Sequence, residues 1–142
     1  MAEKKILLRV ITPTEIKFDD QADMVVMRCT TGDLGVLPGH EARTAVLDFG
    51  VLRIYSGTAD IRVMAVYGGL AEIKKDVVTI LANDAEWPHD IDAQSAREDR
   101  ERIARRLREH EYTGELDMQR DQVMLRRALV QIEAVSYQLD SK

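Results

Sequence analysis

The chain has 142 residues, 45% of them hydrophobic, and a formal net charge of −5. This length predicts one domain, or one domain with an appendage, and the negative charge argues against a nucleic-acid binder driven by bulk electrostatics. No apolar run approaches the roughly 18 residues that a membrane-spanning helix needs, and the apolar stretch near the N-terminus is too short for a secretory signal.

The first part of the chain is predicted to consist of short strands. Runs of β-branched and aliphatic residues predict strands at 5–12, 15–18, 22–29, 42–47, 51–55, 60–67, 70–73 and 77–81. Turns or bends are predicted at 19–21, 32–33, 48–50, 56–57, 68–69 and 74–76. Short strands with this punctuation are typical of a β-sandwich or barrel. The single cysteine, Cys29, excludes a disulfide within the chain and is predicted to be a small buried hydrophobe.

Composition changes near Trp87. Seven of the eight glycines and all three prolines lie in residues 1–88, whereas charged residues are denser in residues 89–142. This change predicts two domains, 1–88 and 89–142, with Trp87 as a packing residue at their junction.

The second part has a helical period. Asp92 or Ser95 can cap a first helix, whose thin apolar stripe includes Ala96, Ile103 and Leu107. A second helix is predicted from Asp117 to about Leu139, with one apolar face made of Met118, Leu125, Leu129, Ile132, Val135 and Leu139. Gly114 separates the two helices, so they form an antiparallel αα-hairpin. The predicted fold class is therefore α+β: an N-terminal antiparallel β-sandwich followed by a C-terminal αα-hairpin that is held weakly.

The residue patterns predict no catalytic residues and no metal site. The histidines at 40, 89 and 110 lack metal-ligand spacing, and there is no phosphate-binding P-loop motif. A small β-sandwich hydrolase is disfavoured because no nucleophile–base motif is present.

Four motifs in order along the chain carry a family resemblance. They are GDLGVLPGH at 32–40, GVLRI at 50–54, GGLAEI at 68–73 and VTILA at 78–82. Together with the charged helical tail, they resemble the epsilon subunit of F-type ATP synthases of the bacterial type.

The resemblance implies a non-catalytic subunit of the central stalk. Its partners would be the gamma subunit, the c ring, and the alpha and beta subunits, with no nucleic acid and with membrane association only through the complex, at the cytoplasmic face. The contact with the c ring transfers to Thr31, Gly32, Asp33 and Leu34 at the tip of the first motif, and a stalk interface transfers to His40. The hairpin would restrain ATP hydrolysis.

Arginines on the second helix are the candidates for that restraint. An arginine-rich helix can pair with acidic loops of the beta subunit through partly desolvated ion pairs, and the candidates are Arg120, Arg126 and Arg127. Helical geometry places Arg126 and Arg127 about 100° and 200° from Leu125. At least one of them is therefore expected to point away from the apolar face, as an exposed charge.

Some bacterial members of this family bind ATP between the two helices, and this chain matches their motif in part. Glu86, Asp92, Ala96 and Arg127 match, whereas Ser95 and Gln131 stand where arginines are expected. No cofactor is required, and ATP stays a hypothetical regulatory ligand. The alternative function is a stand-alone nucleotide-sensing protein that binds ATP at the hairpin.

Overall fold

Strands fill the first part of the chain and two helices the second. The computed structural model describes residues 4–57, 60–109, 112 and 114–140, without the side chains of 138–140. The strands are β1 (Ile6–Ile11), β2 (Ile16–Ala22), β3 (Met24–Cys29), β4 (Gly32–Val36), β5 (Arg43–Ser56), β6 (Asp60–Lys74), β7 (Val77–Ala82) and β8 (Ala85–Glu86). A 3-10 helix, Pro88–Asp90, leads into α1 (Ala93–Glu109) and α2 (Glu115–Asp140).

The strands form one hydrogen-bonded path in the order β2-β1-β7-β6-β5-β3-β4, with β8 on β6. Every pair along it is antiparallel except β1 with β7, which is parallel. The two sides of this path enclose an aliphatic core that includes Leu8, Met27, Ile54, Met64 and Ile80. The predicted α+β class, a β-sandwich followed by two helices, is confirmed.

The two long strands correct the sequence prediction. Residues 43–56 and 60–74 each form one strand, where the glycines at 50 and at 68–69 were predicted to separate shorter strands. The glycines bend the strands without ending them, because the β5–β6 register stays the same on both sides of the bend. Gly68 and Gly69 have φ values of 80° and 138°, which other residues rarely adopt.

The bend also changes which residues face the core. Before the bend, Ala45 and Leu47 of β5 belong to the core cluster. After the bend, Leu52 and Ile54 belong to it, so the residues that face the core change from odd to even positions. Val51 is thereby placed on the outer face, where it contacts α2.

Two turns are not found at the residues where the sequence predicts them. Residues 19–21 belong to β2, where they pair with residues 7–9 of β1. The turn predicted at Gly32–Asp33 lies at residues 30–31, and Gly32 opens β4 with a φ of 122°. Ladder pairing with a neighbouring strand outweighs the local turn preference of these polar residues.

The helices begin and end close to their predicted limits. Asp92, not Ser95, caps α1, since its carboxylate accepts the Ser95 N–H at 3.1 Å. Ala96 and Ile103 of the predicted stripe are buried. Helix α2 lies between α1 and the sheet.

The face of α2 that meets the sheet is not the predicted apolar face. Val130 and Ala134 contact the sheet, whereas Leu129 is exposed. Val130 and Ile132 lie about 200° apart around the helix. The predicted apolar face therefore points away from the sheet. The side chain of Leu139, its last member, lies outside the described residues.

Trp87 packs at the junction. It lies against the core beside Phe18, at 6.4 Å between ring centroids, and the Arg62 guanidinium lies 4.4 Å from its ring centroid. The His89 ring stacks on it at 6.4 Å with an interplanar angle of 9°. This stack links β2 and β6 to the segment that leads into the hairpin.

Candidate functional site

The first sequence motif forms the β3–β4 hairpin and the loop after it. Thr31 is exposed in the turn, and Asp33 of β4 accepts a hydrogen bond from Arg28 Nε at 2.6 Å. Leu34 is partly buried against the core. Asp33 is therefore a strand residue held by an ion pair, not the tip residue that was predicted.

His40 lies in the loop between β4 and β5. Its Nδ1 donates to the Glu41 carbonyl oxygen at 2.8 Å, and its backbone N–H donates to the Leu37 carbonyl at 3.2 Å. The loop is fixed to the β6–β7 turn because Gly39 N donates to Asp76 Oδ1 at 2.8 Å. The His40 side chain is partly exposed.

An apolar row crosses the outer face of the sheet. Val46 pairs with Leu70, Leu70 with Leu81, Leu81 with Ile11, and Ile11 with Ile16, so directly paired residues run over five strands. Val46, Leu70, Leu81 and Ile16 are 54%, 46%, 51% and 62% exposed. We call the five paired residues the apolar row: Val46, Leu70, Leu81, Ile11 and Ile16. Thr30 N donates to the Val46 carbonyl at 3.0 Å, which joins the row to the β3–β4 turn.

A second surface of the sheet is covered by α2. Val51, Val63, Ala65 and Tyr67 of the sheet and Val130 and Ala134 of α2 form a small buried cluster. Phe49, Ile91 and Tyr137 pack at its margin. Several of these side chains are small, so this cluster removes little apolar area from water compared with the sandwich core.

Polar groups border that cluster. We define the arginine latch as Arg126, Arg127 and Gln131 of α2 with Asp48, Phe49, Tyr67, Asp84 and Glu86 of the sandwich. Arg127 donates to Asp84 Oδ2 at 3.0 Å and to Glu86 Oε1 at 3.1 Å. Its guanidinium also lies 4.0 Å from the Tyr67 ring centroid.

Glu86 is the centre of the latch. Its Oε1 accepts hydrogen bonds from the Tyr67 hydroxyl at 2.5 Å and from Gln131 Nε2 at 3.0 Å, in addition to that from Arg127. Burial, and then the bond to Glu86, raise the pKa of the Tyr67 phenol well above its usual range. The phenol is therefore a donor throughout the physiological pH range.

Comparison with known proteins identifies the family. The model of the ATP synthase delta/epsilon chain beta-sandwich domain matches residues 5–88. The ATP synthase epsilon chain of Halalkalibacterium halodurans is 36% identical over 121 residues, which cover 85% of this chain and 90% of that one. The ATP synthase epsilon chain of Prochlorococcus marinus strain NATL2A is 40% identical over 110 residues, which cover 77% of this chain and 80% of that one.

The chain belongs to the ATP synthase epsilon chain family.

Solved structures show the same fold. A chain of the mitochondrial ATP synthase of Euglena gracilis superposes with a TM-score of 0.80 at 20% identity, covering 98% of this chain and 84% of that one. A chain of the central-stalk and c-ring structure of the Tetrahymena thermophila mitochondrial ATP synthase superposes with a TM-score of 0.58 at 14% identity, covering 95% of this chain and 99% of that one. The fold shared with these two chains therefore extends over the hairpin, beyond the residues that the domain model matches.

Only some of the residues predicted to bind ATP come together in the structure. Glu86 and Arg127 meet, and Gln131 joins them. Asp92 instead caps α1, and Ala96 is buried. ATP binding stays a prediction.

The three arginines predicted to restrain hydrolysis lie in different surroundings. Arg120 is exposed on α2. Arg126 and Arg127 point away from the predicted apolar face, and Arg126 is exposed, as was expected of at least one of them. Both guanidinium groups also lie over aromatic rings of the sandwich. Sequence reasoning missed Asp84 and Tyr67 as partners of Arg127 and Glu86.

Within the described residues, no helix is long and apolar enough to cross a membrane. The same residues contain no group of three or more His, Cys, Asp or Glu side chains that could hold a metal ion.

Proposed function

We propose that this chain is a non-catalytic rotor subunit in the central stalk of a proton-translocating F-type ATP synthase. The observation that carries the proposal is the apolar row, an exposed stripe over five strands in a chain of this family. Contiguous apolar surface of this kind marks a protein-binding site. The subunit couples rotation of the stalk to ATP synthesis in the alpha and beta subunits.

Two neighbouring surfaces receive two partners in this proposal. The apolar row and His40 bind the gamma subunit, and Thr31, Gly32, Asp33 and Leu34 meet the c ring. Because Thr30 bonds to Val46, a load on the turn passes directly into the row. The chain reaches the cytoplasmic face of the membrane only through these contacts.

The hairpin acts as the brake on ATP hydrolysis. Its contact with the sandwich is a small apolar cluster bordered by ion pairs, which supports reversible release. Released α2 presents Arg120, Arg126 and Arg127 to acidic segments of the alpha and beta subunits.

ATP remains a proposed regulatory ligand of the hairpin, with Glu86, Asp92, Ala96 and Arg127 as its contacts. Phosphate would have to displace Asp84 and Glu86 from Arg127, so we expect weak binding. Calorimetric titration of the isolated chain with ATP tests this, and tight binding would favour the stand-alone nucleotide sensor instead.

The stalk proposal is tested at the apolar row. Leu70→Asp places a charge in its centre, and we expect loss of co-purification with the gamma subunit. The free energy of unfolding of the isolated chain should change by about 1 kcal/mol or less, since Leu70 is half exposed. Ile61→Asp, at an exposed position outside the row, is the matched control. Retained co-purification of Leu70→Asp would contradict the proposal.

The brake is tested by truncation before the hairpin. A complex that contains residues 1–88 should assemble and synthesise ATP, because the stalk contacts lie in those residues, and should hydrolyse ATP with less restraint. Failure of that complex to assemble would contradict this division of roles.

A further inference from the structure

A second row of paired residues runs beside the apolar row on the same five strands, and it is polar. Thr44 pairs with Glu72, Glu72 with Thr79, Thr79 with Arg9, and Arg9 with Asp19. We call these five residues the polar row. Four of them lie two residues along their strands from a member of the apolar row, so the two rows share one face of the sheet about 7 Å apart.

We propose that one amphipathic helix of the gamma subunit lies along the apolar row, and that Glu72 binds a lysine or arginine on the flank of that helix. The choice of partner rests on the proposed function. The helical form of the binding element and the charge that it carries follow from the two rows.

The shape of the apolar surface favours a helix over a sheet. Two sheets that pack face to face bury apolar side chains over several rows, whereas here a polar row borders a single apolar one. The apolar row crosses five strands, a length of about 19 Å, and about 13 helical residues cover that length. A surface helix carries an apolar stripe with polar flanks, which matches this pair of rows.

Glu72 is the member of the polar row that fits a cation. It lies between Thr44 and Thr79 in the row, so a hydroxyl-bearing residue stands on either side of its carboxylate. Its Oε1 is 3.1 Å from Lys74 Nζ, but the two side chains are 53% and 74% exposed, so this ion pair is weak and Lys74 can turn away. A helix packed on the apolar row would remove Glu72 partly from water, where a carboxylate attracts a cation more strongly.

The remaining charges of the polar row are matched within it. Arg9 Nε lies 3.3 Å from Asp19 Oδ1 on the neighbouring strand. That end of the row is therefore close to neutral, and Glu72 gives the row its net negative charge. The cation of the partner should accordingly lie over β6, beside the apolar side chain that packs on Leu70 of the same strand.

The affinity of the full-length chain for the purified gamma subunit, measured by biolayer interferometry, tests the role of Glu72. We expect Glu72→Lys to raise the Kd at least tenfold, equivalent to about 1.4 kcal/mol, because it sets two cations against each other. Glu72→Gln should raise the Kd less, and its Kd should change less between about 0.05 M and 0.5 M salt than that of the unsubstituted chain. Glu101→Lys makes the same charge change at an exposed position of α1 and is the matched control.

Both positions are exposed, so the melting temperatures of these variants should stay close to that of the unsubstituted chain. Glu72→Gln keeps the size and shape of the side chain, and it carries the test if Glu72→Lys is unstable. Binding by Glu72→Lys and Glu72→Gln equal to that of the control would overturn the role of Glu72.

Amide hydrogen exchange of the gamma subunit, with and without this chain, tests the form of the binding element. We expect protection on binding within one helix that carries lysine or arginine beside its apolar stripe. Protection confined to strands or loops of the gamma subunit would overturn the helix.

Leu70→Asp separates the role of Glu72 from the stalk role. If Leu70→Asp abolishes binding and Glu72→Lys binds as the control does, the stalk role stands and the recognition by Glu72 is overturned. If Leu70→Asp also binds normally, the stalk contact at the apolar row is overturned together with it.

Discussion

At the scale of single residues, burial fixes the chemistry of Cys29. The side chain is 3% exposed at the end of β3, and burial raises the pKa of its thiol. We expect no reaction with a thiol reagent such as dithionitrobenzoate in the folded chain at pH 8, and complete reaction in denaturant, because the thiolate is the reactive form. Rapid reaction of the folded chain would show that this end of β3 opens.

Tyr67 predicts a pH dependence in the alkaline range. Its folded pKa lies above that of the unfolded chain, so the folded state keeps a proton that the unfolded state loses above about pH 10. The stabilisation by the phenol is therefore complete below pH 10 and is lost as the pH rises further. Denaturant unfolding at several pH values measures this, and Tyr67→Phe should remove this part of the alkaline loss.

Sequence reasoning at this scale was limited by distance along the chain. Cys29 could be placed in the core because its neighbours are apolar, and Glu86 and Arg127 could be associated through the family motif. Asp84 and Tyr67 could not be joined to Arg127, since 43 residues separate Asp84 from it and only the fold brings them together. The aromatic contacts of Arg126 and Arg127 left no pattern in the sequence.

At the scale of elements, the bend of β6 depends on glycine. A Cβ at Gly69 would overlap the Leu81 carbonyl oxygen and lie 2.9 Å from Ala82 Cα, and the φ of 138° adds backbone strain. We expect Gly69→Ala to lower the free energy of unfolding by about 3 kcal/mol or more. Gly35→Ala is the control, because its Cβ would meet only Val26 Cγ2 at 3.9 Å. Thermal or denaturant unfolding of both variants measures the loss of stability, and equal losses would contradict the requirement for glycine at residue 69.

The same glycines explain which strands could be predicted. Apolar runs predicted the segments of both long strands. Gly50, Gly68 and Gly69 were interpreted as ends of strands, because glycine in the interior of a strand weakens it. Here a paired neighbour continues on both sides of each bend, so the ladder persists. The bend also sets the outward phase of Val46 and Leu70, and for this reason the apolar row could not be recognised from alternation alone.

At the scale of the whole molecule, the sandwich should fold without the hairpin. Its main core cluster is drawn from the strands, with Trp87 packed against it, and truncation after residue 88 would expose only the outer cluster around Val51 and Val63. We expect residues 1–88 to unfold in one cooperative transition with circular dichroism of the β type. A disordered product would show that the sandwich requires α2, against the predicted boundary.

The stack of Arg62, Trp87 and His89 has a spectroscopic consequence. Trp87 is the only tryptophan, so the tryptophan fluorescence of the molecule comes from one indole packed against the sandwich. Its emission will follow the opening of the sandwich core, whereas far-ultraviolet ellipticity is dominated by the two helices. Unfolding curves recorded with both signals will coincide if sandwich and hairpin melt as one unit, and will separate if the helices melt first. One unmodified sample thus measures how strongly the two parts of the chain are coupled.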